Sequence, residues 1–337
     1  MARSVKKFIV PIFISNQGCP YRCIFCDQGK ITGERKTDAK KVKEIIEVAK
    51  KSKKFKGKIE VAFYGGTFTN LPLSYMKELL NAVRPYIEQG IVKEIRISTR
   101  PDSLDEKRLE IMKEYNVKTV ELGAQSFDDN VLQLANRGHS AKDTINAFYL
   151  LKKWGFKVGI QLMPGLPGDS WDTFKNTVKK TIELMPDMVR LYPTVVIRGT
   201  GLERLFKDGK YKPLSLEEAI DICVYALIEF EKKGIPVIRI GLMNSESLLK
   251  NIVAGPWHPA FGFLVKSKAF IKQDVIPILK KQDMKKAEIF ISPNLIPLLR
   301  GYKNEALKEI ESETGVKILK ITPDKSLNHE KIRIEIK

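Results

Sequence analysis

Apolar and β-branched residues along the first two hundred positions fall into short dense blocks, and between the blocks they recur every three or four places. Phe8 to Ile14 is the first block. Ile59 to Tyr64, Glu94 to Thr99, Lys118 to Leu122, Lys157 to Met163 and Met188 to Val196 repeat the pattern. Blocks of this kind read as buried strands, whereas the amphipathic stretches Asp38 to Lys54 and Ser74 to Gln89 read as helices. Strand and helix alternating at this pitch predict parallel βαβ units. With six such strands, the expected fold is α/β, a partial (β/α)6 barrel opened wider than the closed eight-stranded form. Pro85 is expected to kink the second helix.

The pattern changes after about Lys266, beyond the segment Gly255-Pro256-Trp257-His258-Pro259-Ala260-Phe261-Gly262. From there the chain reads strand (Ala287 to Ser292), helix (Asn294 to Leu299), tight turn (Gly301 to Asn304), helix (Glu305 to Thr314), strand (Val316 to Ile321) and closing strand (Lys331 to Ile336). That order predicts a small α+β module. The division follows: 1–265 for the barrel and its extension, 266–283 for a connecting helix, 284–337 for the module.

Composition narrows the classes. At 337 residues and 43% hydrophobic content the chain can bury a large core. No apolar run approaches the roughly 20 residues that span a bilayer, and Met1 to Ile14 imitates a signal peptide without a small-residue cleavage site. A cytoplasmic location with no membrane partner is the expectation. The charge is +19, from 59 Lys and Arg against 40 Asp and Glu. A thermophile surface rich in Lys and Glu raises both signs, so this excess points to a polyanion such as nucleic acid. The densest basic run, Lys50 to Lys58, reads by itself as a solvated helix end.

Three of the four cysteines, Cys19, Cys23 and Cys26, stand within eight residues as C-x3-C-x2-C. Three thiolates so spaced can hold three corners of a 4Fe-4S cluster and leave one iron open to a small ligand. A zinc site would want a fourth Cys or His nearby, and His139, His258 and His329 all lie more than 100 residues away. A disulfide framework belongs to small secreted chains. Cys223, inside an apolar helical pattern, reads as a small core residue. In a parallel barrel, chemistry collects on the loops after the strands. Those ends carry Gly65-Gly66-Thr67-Phe68, Ser98-Thr99-Arg100, Gln125 with Arg137-Gly138-His139-Ser140 one helix later, and Gln161 to Gly168. Paired glycines allow close backbone approach, and an arginine pairs well with a carboxylate.

The cysteine loop, with Phe25 before its last cysteine, resembles the signature of the radical-SAM superfamily. Together with Leu191-Tyr192-Pro193-Thr194, Arg198-Gly199-Thr200-Gly201-Leu202 and the block from Gly255 to Gly262, the ordered segments resemble radical-SAM enzymes of the coproporphyrinogen oxidase type. They resemble the catalytic subunit of Elongator more closely, over about residues 8 to 265. The resemblance implies a 4Fe-4S cluster on Cys19, Cys23 and Cys26, and S-adenosylmethionine (SAM) held by Phe25, Gly65, Gly66, Thr67, Ser98, Gln125, Arg137 and Gln161. Thr67 replaces the acidic residue frequent in the wider superfamily and matches the Elongator type. About 70 residues follow Gly262, so the acetyltransferase chemistry of Elongator is not carried over to this sequence.

The stretch from Leu299 to Ile318 resembles a KH domain around its GxxG loop, which clamps single-stranded nucleotides. Asn304 replaces the second glycine, and it tolerates positive φ while adding a side chain where a backbone would approach. Arg300, Gly301 and Lys303 are the RNA-binding candidates here. The expected activity is generation of a 5′-deoxyadenosyl radical to modify RNA, with tRNA as the expected partner and ferredoxin or flavodoxin as the electron source. Arg100, Arg190, Tyr192, Arg198, Arg239 and His258 are candidate substrate-side residues. Two rivals stand: radical chemistry on a small anionic metabolite, and a metal-stapled RNA-binding protein without catalysis.

Overall fold

The computed structural model describes residues 8–33, 37–53, 55, 57–281, 285–327 and 332–336. His329 and the first residue of the closing strand predicted from Lys331 lie outside these.

Among the described residues, seven parallel strands form one curled sheet in the order β1-β2-β3-β4-β5-β6-β8. They are β1 (Phe8–Phe13), β2 (Ile59–Tyr64), β3 (Val92–Thr99), β4 (Val117–Gln125), β5 (Lys157–Leu162), β6 (Met188–Leu191) and β8 (Val237–Ile240). The first six run side by side in sequence order, as the alternation of patterns predicts. β8 adds a seventh strand beside β6, and Ile238 and Arg239 on it stay exposed, so its hydrophobic pattern is weak. The strand expected over Met188 to Val196 is broken at Pro193, whose missing N–H cannot join a ladder. Its far end pairs instead as a ribbon, β7 (Val196–Ile197) antiparallel to β9 (Ile252–Ala254). Pro11, exposed on β1, is tolerated because β1 is an edge strand paired only with β2.

Helices cover the outer face of the sheet, and their apolar stripes meet the strands in one core that includes Ile46, Leu79, Met112, Phe148, Phe174 and Phe230. Cys223 is fully buried there, as its helical setting implies. The helix Leu73–Glu88 continues through Pro85 to its last turn, so the proline sits where few backbone bonds remain to be lost.

The helical stretch beginning at Phe261 joins the two parts of the molecule. Phe261, Val265 and Ala269 pack into the barrel core, whereas Phe270, Ile271, Val275, Ile276 and Leu279 pack into a second core with the tail. Between them, Ile271–Val275 widens into a π-turn in which Ile276 N–H reaches Ile271 O. Pro277 lies immediately after and would clash with a normal preceding turn. The tail holds β10 (Lys286–Ile291), helices Ile296–Arg300 and Glu305–Thr314, β11 (Lys317–Pro323) and β12 (Ile332–Ile336). β10 is central, parallel to β11 and antiparallel to β12.

Candidate active site

The chain leaves β1 and folds back on the end of β2. Asn16 N–H donates to Gly65 O at 2.8 Å, Thr67 N–H to Gln17 O at 2.9 Å, and Asn70 Nδ2 to Gly18 O at 2.8 Å. Gly66 explains why this junction needs glycine: a Cβ there would lie 2.5 Å from Gln17 O and 2.7 Å from Ile14 O. Gly66 therefore admits the cysteine loop's own backbone before it admits any ligand, whereas a Cβ at Gly65 would meet the side chains of Gln28 and Phe13. The other flank is held by Leu202 N–H on Ile24 O at 2.7 Å and Ile24 N–H on Ala135 O at 3.2 Å. This gives the Arg198-to-Leu202 block a physical role, since Leu202 and Phe25 share a small apolar cluster with Val131, Met163 and Leu166.

Each thiol has its own neighbour. Cys19 Sγ lies 3.3 Å from Thr67 Oγ1, Arg137 Nη1 donates to Cys23 Sγ at 3.0 Å, and Gln28 Nε2 donates to Cys26 Sγ at 3.5 Å. Burial pushes the Cys26 thiol up to about 12, reinforced by Cys23 and Cys19, and burial raises Cys19 as well. Thiolates held this close together are stabilised by a positive centre between them. Among the described residues, no three His, Cys, Asp or Glu side chains converge on the position of a single ion. Three thiolates on one loop can each take one iron of a 4Fe-4S cluster, so the chemistry of the donor set fits that group.

The predicted SAM-side residues line the same cavity, of about 530 Å³, as the three cysteines: Gly65, Gly66, Thr67, Ser98, Gln125, Arg137 and Gln161. Gln125 reaches it through a bulge, because β4 gains one residue against β5 between Leu122 and Gln125. The bulge holds Gln125 at φ +70°, a rare value for a side chain of this size, and Gln161 Nε2 donates to its Oε1 at 3.0 Å. Arg137 is 5% exposed and also donates from Nη2 to Gly123 O at 2.6 Å. Burial, helped by Arg137 and Arg100, drives His139 down to about 3, so it stays neutral.

The substrate-side candidates divide. Arg190, Tyr192, Arg239 and Arg100 line the cavity; Arg198 and His258 do not. Arg100 is a brace, pairing with Asp102 at 2.9 and 2.7 Å, donating to Arg137 O and lying 5.1 Å from the Tyr21 ring centre. His258 packs edge to face on Tyr302 of the tail at 5.1 Å. Arg300, Gly301 and Lys303 lie on the tail loop, outside the cavity. Gly301 (φ +70°) lacks a Cβ because one would sit 2.7 Å from Ala306 Cβ, and Lys303 and Asn304 both have positive φ.

Sequence reasoning missed Tyr64 and Glu121, which also line the cavity. The signal was present as single charges inside buried strands: Glu60, Arg96, Glu121 and Arg190 each interrupt an apolar run.

Residues 13–181 match the model of the radical-SAM superfamily, and residues 186–270 match the radical-SAM C-terminal domain. The chain is 33% identical over 259 residues to a tRNA uridine(34) acetyltransferase of Methanocaldococcus infernus, covering 65% of this chain and 48% of that protein. It thus spans about half the length of that curated relative. It is 32% identical over 298 residues to an uncharacterized protein of Methanocaldococcus jannaschii, covering 85% of this chain and 88% of that one. The solved structure of archaeal Methanocaldococcus infernus Elp3 lacking its N-terminus superposes with a TM-score of 0.63 at 31% identity, over 80% of this chain and 63% of that chain. Thiol loop, glycine junction, bulged Gln125 and family match agree, and the chain belongs to the radical-SAM superfamily.

Proposed function

We propose that the chain is a radical-SAM enzyme that modifies RNA, with tRNA as its substrate. The observation that carries this reading is convergence: the ends of five strands and the loops that follow them bring three separately held thiols and the predicted SAM-side residues onto one cavity. In this reading Cys19, Cys23 and Cys26 ligate a 4Fe-4S cluster, and Phe25, Gly65, Gly66, Thr67, Ser98, Gln125, Arg137 and Gln161 surround SAM. When bound and reduced by a ferredoxin or flavodoxin, cluster and SAM supply a 5′-deoxyadenosyl radical.

The chain's own residues do the rest. Gln28 and Arg137 donate hydrogen bonds to thiolate sulfur, and Phe25 with its apolar neighbours keeps water from one side of the loop. The charge of +19 suits a polyanionic substrate. The tail, residues 284–337 after the connecting segment 266–283, acts as a KH-like RNA contact through Arg300, Gly301 and Lys303. Among the described residues no helix is long and apolar enough to cross a membrane, and we place the enzyme in the cytoplasm.

Anaerobic reconstitution with dithionite and SAM is expected to yield 5′-deoxyadenosine, and Cys23→Ala to abolish it. Total tRNA from a deletion strain is expected to lack one modified nucleoside by mass spectrometry. No 5′-deoxyadenosine would remove the radical half of the proposal; an intact nucleoside profile would remove the tRNA half.

A further inference from the structure

A chain of buried polar side chains crosses the barrel interior beside the cysteine loop. Arg96 Nε donates to Glu60 Oε1 at 2.6 Å and Arg96 Nη1 to Glu121 Oε1 at 2.5 Å; Arg190 Nε lies 3.0 Å from Glu121 Oε2. The series ends at two phenols. Arg190 Nη2 donates to Tyr64 Oη at 2.6 Å, and Nη1 donates to Tyr192 Oη at 2.9 Å. Glu121, Arg190, Tyr64 and Tyr192 all line the cavity.

Two physical consequences follow. Within this network the charges cancel, two carboxylates against two guanidiniums, so Arg96 and Arg190 are both matched, while Arg239 beside Arg190 on β8 donates only to the backbone oxygens of Gly241 and Leu242. An anion added to the network would leave one buried charge unmatched, which a desolvated site tolerates poorly. The phenols, by contrast, are oriented. A guanidinium only donates, so each phenol oxygen accepts from Arg190, and each keeps its own O–H free to donate elsewhere. Burial, then the nearby Glu121, pushes the Tyr64 phenol up, which keeps that donor protonated.

Resting on the reading above, we propose that Tyr64 and Tyr192 form a twin-donor site for a neutral carbonyl on the group being modified. A uracil ring carries such a carbonyl, and so does an acyl thioester. Arg190, clamped by Glu121, sets the direction of both donors.

The test uses the reconstituted full-length enzyme as wild type, Tyr64→Phe, Tyr192→Phe and the double variant. Phenylalanine keeps each ring and removes only the O–H. One arm measures kcat/KM for product nucleoside formation on unmodified tRNA, and the other measures the affinity for an acyl thioester by calorimetry. A loss of about fivefold to tenfold per single change, compounding in the double variant, is expected in the arm that supplies the carbonyl. Loss confined to the tRNA arm assigns the carbonyl to the base; loss confined to the thioester arm assigns it to the acyl donor. If wild type acts on tRNA and the double variant stays within twofold in both arms, the twin-donor site is wrong while the tRNA proposal stands. If wild type makes no product on tRNA yet binds the thioester and the Phe variants weaken it, the tRNA proposal falls and the donor site survives. If wild type does neither, both fall.

Discussion

The barrel mouth and the tail loop each carry a glycine that cannot bear a side chain, and in each the excluded Cβ meets protein. At Gly66 the obstacle is the backbone of the cysteine loop; at Gly301 it is Ala306 on the following helix. The difference lies in what else arrives. Around Gly66, the ends of five strands and the loops that follow them deliver thiols, amides and guanidiniums to one cavity. Around Gly301 the neighbours are packing partners: Ala306, Ser267, and Tyr302 resting on His258. A glycine reports that something comes close; at the barrel mouth groups converging from several strands also point to a ligand, whereas at the tail loop the RNA reading rests on the cations Arg300 and Lys303 that flank the glycine.

That contrast can be broken in several ways. The largest effect is expected from Gly66→Ala, which forces the cysteine-loop backbone away from the end of β2. Iron content after reconstitution should fall by more than about tenfold, since misplaced ligands commonly cost 10- to 100-fold in metal affinity; full iron loading would show that the junction is looser than its contacts imply. Glu121→Ala comes next, because it strands Arg96 and Arg190 without their shared carboxylate. Loss of one partner in a buried ionic network costs about 3–5 kcal/mol, readable by chemical denaturation.

Gly301→Ala is expected to cost about 1–3 kcal/mol through its positive φ and its contact with Ala306. The iron content should stay at the wild-type level, and a loss of iron would couple the tail to the mouth. A pH series is the gentlest probe. Cys26 is raised from an ordinary value of 9.0 to about 12, so the folded apoprotein binds that proton more tightly than the unfolded chain does. The resulting stability is complete below pH 9 and is lost as pH rises toward 12. Melting of the apoprotein should fall over that window, and melting of the iron-loaded protein should not, because its thiolates are already ionised. Iron uptake should strengthen with rising pH for the same reason.

Much of the barrel could be read in advance. Six strands separated by amphipathic helices dictate a parallel sheet in sequence order, and the positions of Cys19 and Gly65 on loops and of Gln125 and Gln161 at strand ends then follow from where strands end. What escaped was lateral. Glu60, Arg96, Glu121 and Arg190 are far apart in the chain, and each alone looks like a flaw in an apolar strand. Only the neighbour relations β2-β3-β4, and the reach from Glu121 on β4 across Gly159 of β5 to Arg190 on β6, show that they pair. Arg100 and His258 have partners that spacing does not show: Asp102 pairs with Arg100, which still lines the cavity, and Tyr302 packs on His258, which does not. β8 was missed because a strand with Ile238 and Arg239 exposed lacks a buried pattern.

Pro11 has a consequence for how this protein coexists with other chains. Among the described residues no strand pairs with the outer edge of β1, which leaves a row of backbone donors and acceptors there, apart from Phe13 O, which accepts from Thr37 Oγ1, as an invitation to strands from other molecules during synthesis and crowding. Pro11 removes one donor from the middle of that row and fixes its own φ, so an incoming strand finds its ladder interrupted halfway. A barrel that must keep its flank open can thus stay unjoined to its neighbours without closing.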